Sequence, residues 1–168
     1  MEIKTPLKAI VKDANGLFIQ EGLRRQHKTL NILKHRDYKD EISLFHFKMD
    51  GTKHYHIINE KKQKIIYFLY NEGKIIYTGK SQASPDICYR PQSHLNDPDY
   101  PKVFDSFTVM VFPEDIDLQV AEMFFYMSLR DSGTDLVYNI SRPMAYTRWW
   151  KLLRNWKVWN NHKPTYVI

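Results

Sequence analysis

Two short apolar runs, Ile65-Ile66-Tyr67-Phe68-Leu69-Tyr70 and Lys74-Ile75-Ile76-Tyr77-Thr78-Gly79-Lys80, are separated by Asn71-Glu72-Gly73. Two β-rich runs joined by a few residues with Asn and Gly predict a tight antiparallel hairpin. A second hairpin is predicted around Asp50-Gly51, with arms Ile42 to Met49 and Thr52 to Ile58. Its two-residue turn would set Phe47 opposite His54 and Phe45 opposite His56. Val103 to Phe112 reads as a further strand, buried in the core. Elsewhere the period is helical. Leu23, His27, Leu30 and Leu33 share one face. Ser84-Pro85-Asp86 is a helix start, with Ser as N-cap and Pro at the first position. Pro91 then kinks that helix or restarts it over Gln92-Ser93-His94-Leu95. Asn96 to Pro101 is a loop by composition. Pro113-Glu114-Asp115 opens a helix running to about Arg130, stopped by Ser132-Gly133, with Leu118, Ala121, Phe125 and Leu129 as its apolar stripe. Trp149, Leu152, Leu153, Trp156 and Trp159 repeat at helical spacing near the end. The expected fold is α+β: a small three-stranded antiparallel sheet flanked by helices. Residues 1–62 form an N-terminal α/β extension, 63–141 the core, and 142–168 a basic, Trp-rich C-terminal helix.

The 168 residues suit one domain, and 43% hydrophobic content with 14% aromatics predicts a folded chain. Lys and Arg number 25 against 19 Asp and Glu, for a net charge of +6. That balance favours a polyanionic partner but is weak by itself. The basic residues Arg24, Arg25, Lys28, Lys34, His35 and Arg36 are either a solvated helix face or an arm that contacts phosphates. Arg148, Lys151, Arg154 and Lys157, with Trp150 among them, leave the same choice for the last helix. No apolar run approaches the roughly 20 residues of a membrane span, and Met1-Glu2-Ile3-Lys4 lacks the apolar core of a secretion signal. The single cysteine, Cys88, excludes an intramolecular disulfide and fits a reducing compartment, so a cytoplasmic location is expected.

Two groups carry candidate chemistry. His54-x-His56 has the spacing of two metal ligands on one strand, but no third ligand stands beside them, so packing or a contact to nucleic acid is the better expectation. Glu122 lies within or at the edge of its helix's apolar stripe. A carboxylate there must be paired, hydrogen-bonded or metal-bound, because burying it bare is costly.

Tyr67 and Tyr77 stand ten residues apart on the two arms of the first hairpin, followed in order by Arg90, His94, Glu122 and Asn139. The series Ile65-Ile66-Tyr67, Tyr77-Thr78-Gly79-Lys80-Ser81, Arg90-x-x-x-His94, Glu122 and Asn139 resembles the GIY-YIG nuclease family over about half the chain. Ile65 replaces that family's first glycine, and Pro91 follows Arg90 where plain helix is usual. The resemblance implies phosphodiester hydrolysis in double-stranded DNA. Tyr67 would activate a water, acidified by nearby positive charge, and Tyr77 would orient that water or the phosphate. Arg90 would grip a non-bridging oxygen with its planar fork. His94 would share the proton or position Tyr67, and Lys80 would hold a phosphate. Glu122 would bind one Mg²⁺ per site, with Mn²⁺ expected to substitute. Gly79 and Asn139 would be structural. Some sixty residues ahead of the module and a short tail resemble a type II restriction endonuclease, which implies a homodimer. The alternatives are a nucleic-acid-binding module that lost catalysis, and a structure-specific or RNA nuclease.

Overall fold

The structure is a computed structural model that describes Arg25 and residues 28–33, 41–51 and 53–140. Its centre is an antiparallel sheet of four strands in the order β1-β4-β2-β3. The strands are β1 (Ser43–Lys48), β2 (Lys64–Asn71), β3 (Lys74–Ser81) and β4 (Ser106–Phe112). A short helix α1 (Tyr89–Ser93) runs into a 3₁₀ turn (His94–Asn96), and α2 (Leu118–Asp131) follows β4.

The expected core hairpin forms between β2 and β3, with Tyr67 opposite Gly79 and Phe68 opposite Thr78. Both residues of its turn, Glu72 and Gly73, have positive φ, at 50° and 72°. That conformation matches the strand twist, and glycine adopts it without strain. The sheet is α+β as expected but has a fourth strand. The turn at Asp50-Gly51 forms, closed by a bond from Lys53 N to Asp50 O of 3.2 Å, yet its two arms do not pair. Instead β1 lies along β4, with Phe47 opposite Phe107 and Phe45 opposite Val109. Phe47 stacks on Phe107 with ring centroids 4.9 Å apart, and Tyr55 from the other arm packs against it at 5.1 Å. Aromatic packing against an already buried strand outweighs the local turn preference.

Strand β2 is buried on both faces from Ile65 to Leu69. Ile66 and Phe68 face α2, joined there by Met110, Phe112, Phe124, Phe125 and Leu129. Leu30 and Leu33, from the helical residues 28–33, belong to the same cluster. Ile65, Tyr67 and Leu69 point to the opposite face with Ile87, Phe104, Phe107 and Val109. The alternation of strand side chains thus splits one apolar run between two cores.

Both helices start later than their sequence signals. Helix α2 is capped by Asp117, whose carboxylate accepts from Gln119 N at 3.0 Å and Val120 N at 3.2 Å. Pro113 closes a turn instead, its carbonyl accepting from Ile116 N. Residues 84–86 dock on the arm 57–59, with Ile58 and Asp86 bridged, and α1 begins three residues further on. Pro91 neither kinks nor restarts α1. It is the third helical residue, and the first helical bond is made by the next residue, from Gln92 N to Cys88 O. The N–H groups before that point have no intrahelical acceptor, so proline loses nothing there.

Lys28 is ion-paired with Asp115. Leu23, Arg24, His27, Lys34, His35 and Arg36, and the Trp-rich stripe from Arg142 to Trp159, lie outside the described residues. No helix among the described residues is long and apolar enough to cross a membrane.

Candidate functional site

The site sits at β3, the last strand in the sheet order. Tyr67 projects from β2 and is only 1% exposed. Directly opposite is Gly79, where an added Cβ would stand 2.6 Å from the Tyr67 hydroxyl oxygen and 2.9 Å from a Tyr77 ring carbon. Glycine is therefore required by close approach and not by backbone angle. Tyr77, also on β3, lies beside Tyr67 with ring centroids 6.0 Å apart.

Helix α1 brings two more of the expected residues to this face. His94 is buried, with Nε2 2.8 Å from Tyr67 Oη, and its ring packs edge-on against Tyr77 at 5.0 Å. Arg90 is exposed at the surface of α1, its Nη1 donating to Ser93 Oγ at 3.4 Å. Its guanidinium acts electrostatically on Tyr67, Tyr77 and His94. The helix is held in place by main-chain surrogates. Gln92 Nε2 donates to Tyr55 O at 2.6 Å while Tyr55 N donates to Gln92 Oε1 at 2.8 Å. Asp86 Oδ1 accepts from Cys88 N and Ile57 N.

The carboxylate half lies around the edge, on the α2 face. Lys80 is one register step from Gly79, opposite Ile66, and so points toward α2. Its Nζ meets Glu122 Oε2 at 2.5 Å, both side chains being largely buried. The other oxygen, Oε1, has no protein partner among the described residues. No hydrogen bond joins Glu122 to Tyr67 or Arg90 among the described residues. Tyr77 is the common neighbour: the positive field of Arg90 and the negative field of Glu122 both reach its phenol. Asn139 clasps the same strand, accepting from Thr78 N at 3.0 Å and donating to Thr78 O at 2.9 Å. Tyr138 N also donates to Ile76 O at 3.2 Å, so residues 138 and 139 together cover part of the sheet edge.

The titration behaviour departs from one expectation. Burial pushes the Tyr67 phenol well above its ordinary range, and the neighbouring Tyr77 phenol adds to this; Arg90 opposes both but is outweighed. Tyr77 is raised too, again mainly by burial. The acidified Tyr67 expected from neighbouring cations is thus absent in the resting protein. Removal from water disfavours the phenolate more than one exposed guanidinium favours it, and Lys80 is committed to Glu122. Cys88 is buried and its thiol is pushed up to about 12, chiefly by desolvation, which makes it inert.

Lys102 gave no signal in the sequence. It is 7% exposed, and its Nζ lies 3.1 Å from His94 Nδ1 and 4.9 Å from the Tyr77 ring centroid. Its position depends on a tertiary bond, from Lys102 N to His94 O at 2.8 Å. His54 and His56 are exposed, and His56 Nδ1 pairs with Asp86 Oδ2 at 2.6 Å. Among the described residues no three His, Cys, Asp or Glu side chains are grouped to hold a metal. The donor set at Glu122 is a single hard oxygen ligand. That fits Mg²⁺, which keeps most of its waters and needs one or two carboxylates, and does not suit a protein-caged zinc.

Comparison with protein-family models, with curated proteins and with solved structures returns no match.

Two outcomes follow from this geometry. Burial, then Lys102 and Arg90, bring His94 down to about 4, with Asp97 acting weakly in the other direction. Unfolded histidine takes up its proton near pH 6.5, so between about pH 6.5 and 4 only the unfolded chain is protonated there. Stability is then expected to fall by about 3 kcal/mol as the pH drops through that window, and urea unfolding of His94→Gln should show a flatter profile. Gly79→Ala is expected to lower stability by about 1–3 kcal/mol, since backbone or both tyrosines must shift, as measured by urea midpoint.

Proposed function

We propose that this chain is a Mg²⁺-dependent endonuclease of the GIY-YIG type that hydrolyses phosphodiester bonds in double-stranded DNA. The observation that carries the proposal is the meeting at one strand edge of a buried Tyr67–His94 pair, the Arg90 guanidinium and the Glu122 carboxylate, with Tyr77 sensing the last two. A phosphate at that edge would have the guanidinium on one side and the carboxylate on the other.

Hydrolysis requires a water in line behind phosphorus, compensation of the charge that builds on its oxygens, and departure of the opposite oxygen. Glu122, through Oε1, is the residue that would hold Mg²⁺, which supplies charge compensation and a Lewis acid when bound. Arg90 lies exposed at the surface of α1, where its guanidinium would fork onto non-bridging oxygens. Lys80 is the second cation, expected to leave Glu122 for a phosphate oxygen. Tyr67 releases its proton to solvent water, its oxyanion orients the attacking water and takes the proton that water loses, and Tyr77 stands beside it to align water or phosphate. His94 positions the Tyr67 oxygen. Asn139 and Gly79 keep the edge strand where both tyrosines need it.

By analogy of architecture alone, we further infer a site-specific restriction endonuclease acting as a homodimer, one active site per strand. The high proton affinity of Tyr67 favours the rival assignment, a binding module of the same shape without catalysis.

Glu122→Gln separates the two, because the amide still accepts from Lys80 and cannot replace a carboxylate as ligand. Wild type is expected to nick supercoiled plasmid with Mg²⁺ or Mn²⁺ and to stop when the metal is chelated. The variant should bind duplex normally in a gel-shift assay but cut at least about 100-fold more slowly. Equal behaviour of both proteins, with neither cutting, would assign the chain to the binding class.

A further inference from the structure

We propose that Lys102 fixes the tautomer of His94 and makes that histidine a hydrogen-bond donor to the Tyr67 oxygen. The direction follows from the donor inventory. An ammonium has three N–H donors and no acceptor. Lys102 Nζ lies 3.1 Å from His94 Nδ1, so Nδ1 presents its lone pair and the ring hydrogen resides on Nε2. Nε2 is the atom 2.8 Å from Tyr67 Oη. The bond therefore runs from imidazole to phenol oxygen, and the chain reads Lys102 to His94 to Tyr67.

Lys102 has the setting of a residue placed for this purpose. Among the described residues the ion pairs are Lys28–Asp115, His56–Asp86 and Lys80–Glu122, and no carboxylate stands within ion-pair distance of Lys102. A largely buried lysine ordinarily needs such a partner. Here the ammonium is met by the imidazole, by Tyr100 O at 3.5 Å, by the face of Tyr77 at 4.9 Å and by that of Tyr138 at 5.9 Å, with the field of Asp97 in its favour. Its own main-chain N–H is tied to His94 O at 2.8 Å, so the two residues move together.

The consequence is a changed role for His94. With its hydrogen on Nε2 it cannot accept a proton from Tyr67 or from a water on that side. It can stabilise negative charge growing on the Tyr67 oxygen, and the ammonium on Nδ1 polarises the ring to make it a stronger donor. A phenol held at high proton affinity by burial gains two stabilisers of its oxyanion, the Nε2–H group and Arg90. Lys102 is thus a positioning residue acting through His94. Its effect on catalysis rests on the nuclease proposal; the tautomer does not.

The test is a long-range ¹H–¹⁵N correlation of histidine-labelled protein, without DNA or metal, at neutral pH. The His94 signals are those missing from His94→Gln. Expected is a single Nε2–H tautomer in wild type, converted in Lys102→Met to a mixture or to the Nδ1–H form. Plasmid cleavage by Lys102→Met should fall about 100-fold in kcat with little change in KM, as for a misassigned tautomer beside a catalytic group. An Nδ1–H tautomer in wild type overturns the proposal, as does an unchanged tautomer in Lys102→Met. A switched tautomer with wild-type cleavage overturns the positioning role. Should Lys102→Met fail to fold, the wild-type spectrum alone decides. Should wild type cut no DNA, the nuclease proposal fails while the spectra still decide the tautomer.

Discussion

The hydroxyl of Tyr67, enclosed between the bare backbone of Gly79 and the Nε2 atom of His94, is the constraint on which the rest of this structure depends. The ring can lie there only because β3 offers no side chain at the opposing position, and only because α1 delivers an imidazole to the same face. Each requirement reaches outward. The first fixes the register of the β2–β3 hairpin. The second fixes the path of the chain from Ile57 through Asp86 to Pro91, since a displaced α1 would leave a buried phenol oxygen without a partner. An unsatisfied buried polar group costs about 1–3 kcal/mol, enough to make the arrangement all-or-none.

Charge is divided between the two faces of the sheet. The buried pair and the carboxylate occupy opposite faces of the sheet, and strand β3 is the wall between them. Alternation along that strand sends Tyr77 and Gly79 one way and Lys80 the other, so three neighbouring residues serve both faces. In the resting protein Lys80 is paired with Glu122, Arg90 is turned outward, and Lys102 is buried against His94. Lys80 and Glu122 are thereby separated by a single strand from the low-polarity surroundings that keep Tyr67 neutral, while Arg90 stays on the Tyr67 side.

Much of this was legible in the sequence, for identifiable reasons. The hairpin, the buried strand β4 and helix α2 rest on local patterns whose period survives any tertiary context, and the ordered spacing from Tyr67 to Asn139 marked the residues that gather at the edge. What the sequence concealed is what long-range packing decides. Asp50-Gly51 makes its turn, but Phe47 finds a better partner in Phe107 than in the returning arm. Pro91 reads as a helix breaker and is harmless because the helix starts only two residues earlier. Tyr67 sits near positive charge, as its neighbours imply, yet its depth determines its proton affinity. Lys102 lies in an unpatterned loop, and nothing short of the fold brings it to His94. Gln92 and Asn139 are likewise ordinary polar residues in sequence whose amides substitute for backbone in space.

On the proposed function, Arg90 and Glu122 address one and the same phosphate from either side of the β3 edge. A crystal structure of Tyr67→Phe bound to duplex DNA in Mg²⁺ measures this directly, because on the proposed mechanism loss of the hydroxyl stalls turnover without touching either charged group. Expected is one backbone phosphate within hydrogen-bond reach of the Arg90 fork, with a magnesium ion between that phosphate and the Glu122 carboxylate. DNA bound at another face of the protein, or a phosphate on Arg90 with Glu122 still paired to Lys80 and carrying no ion, would contradict it.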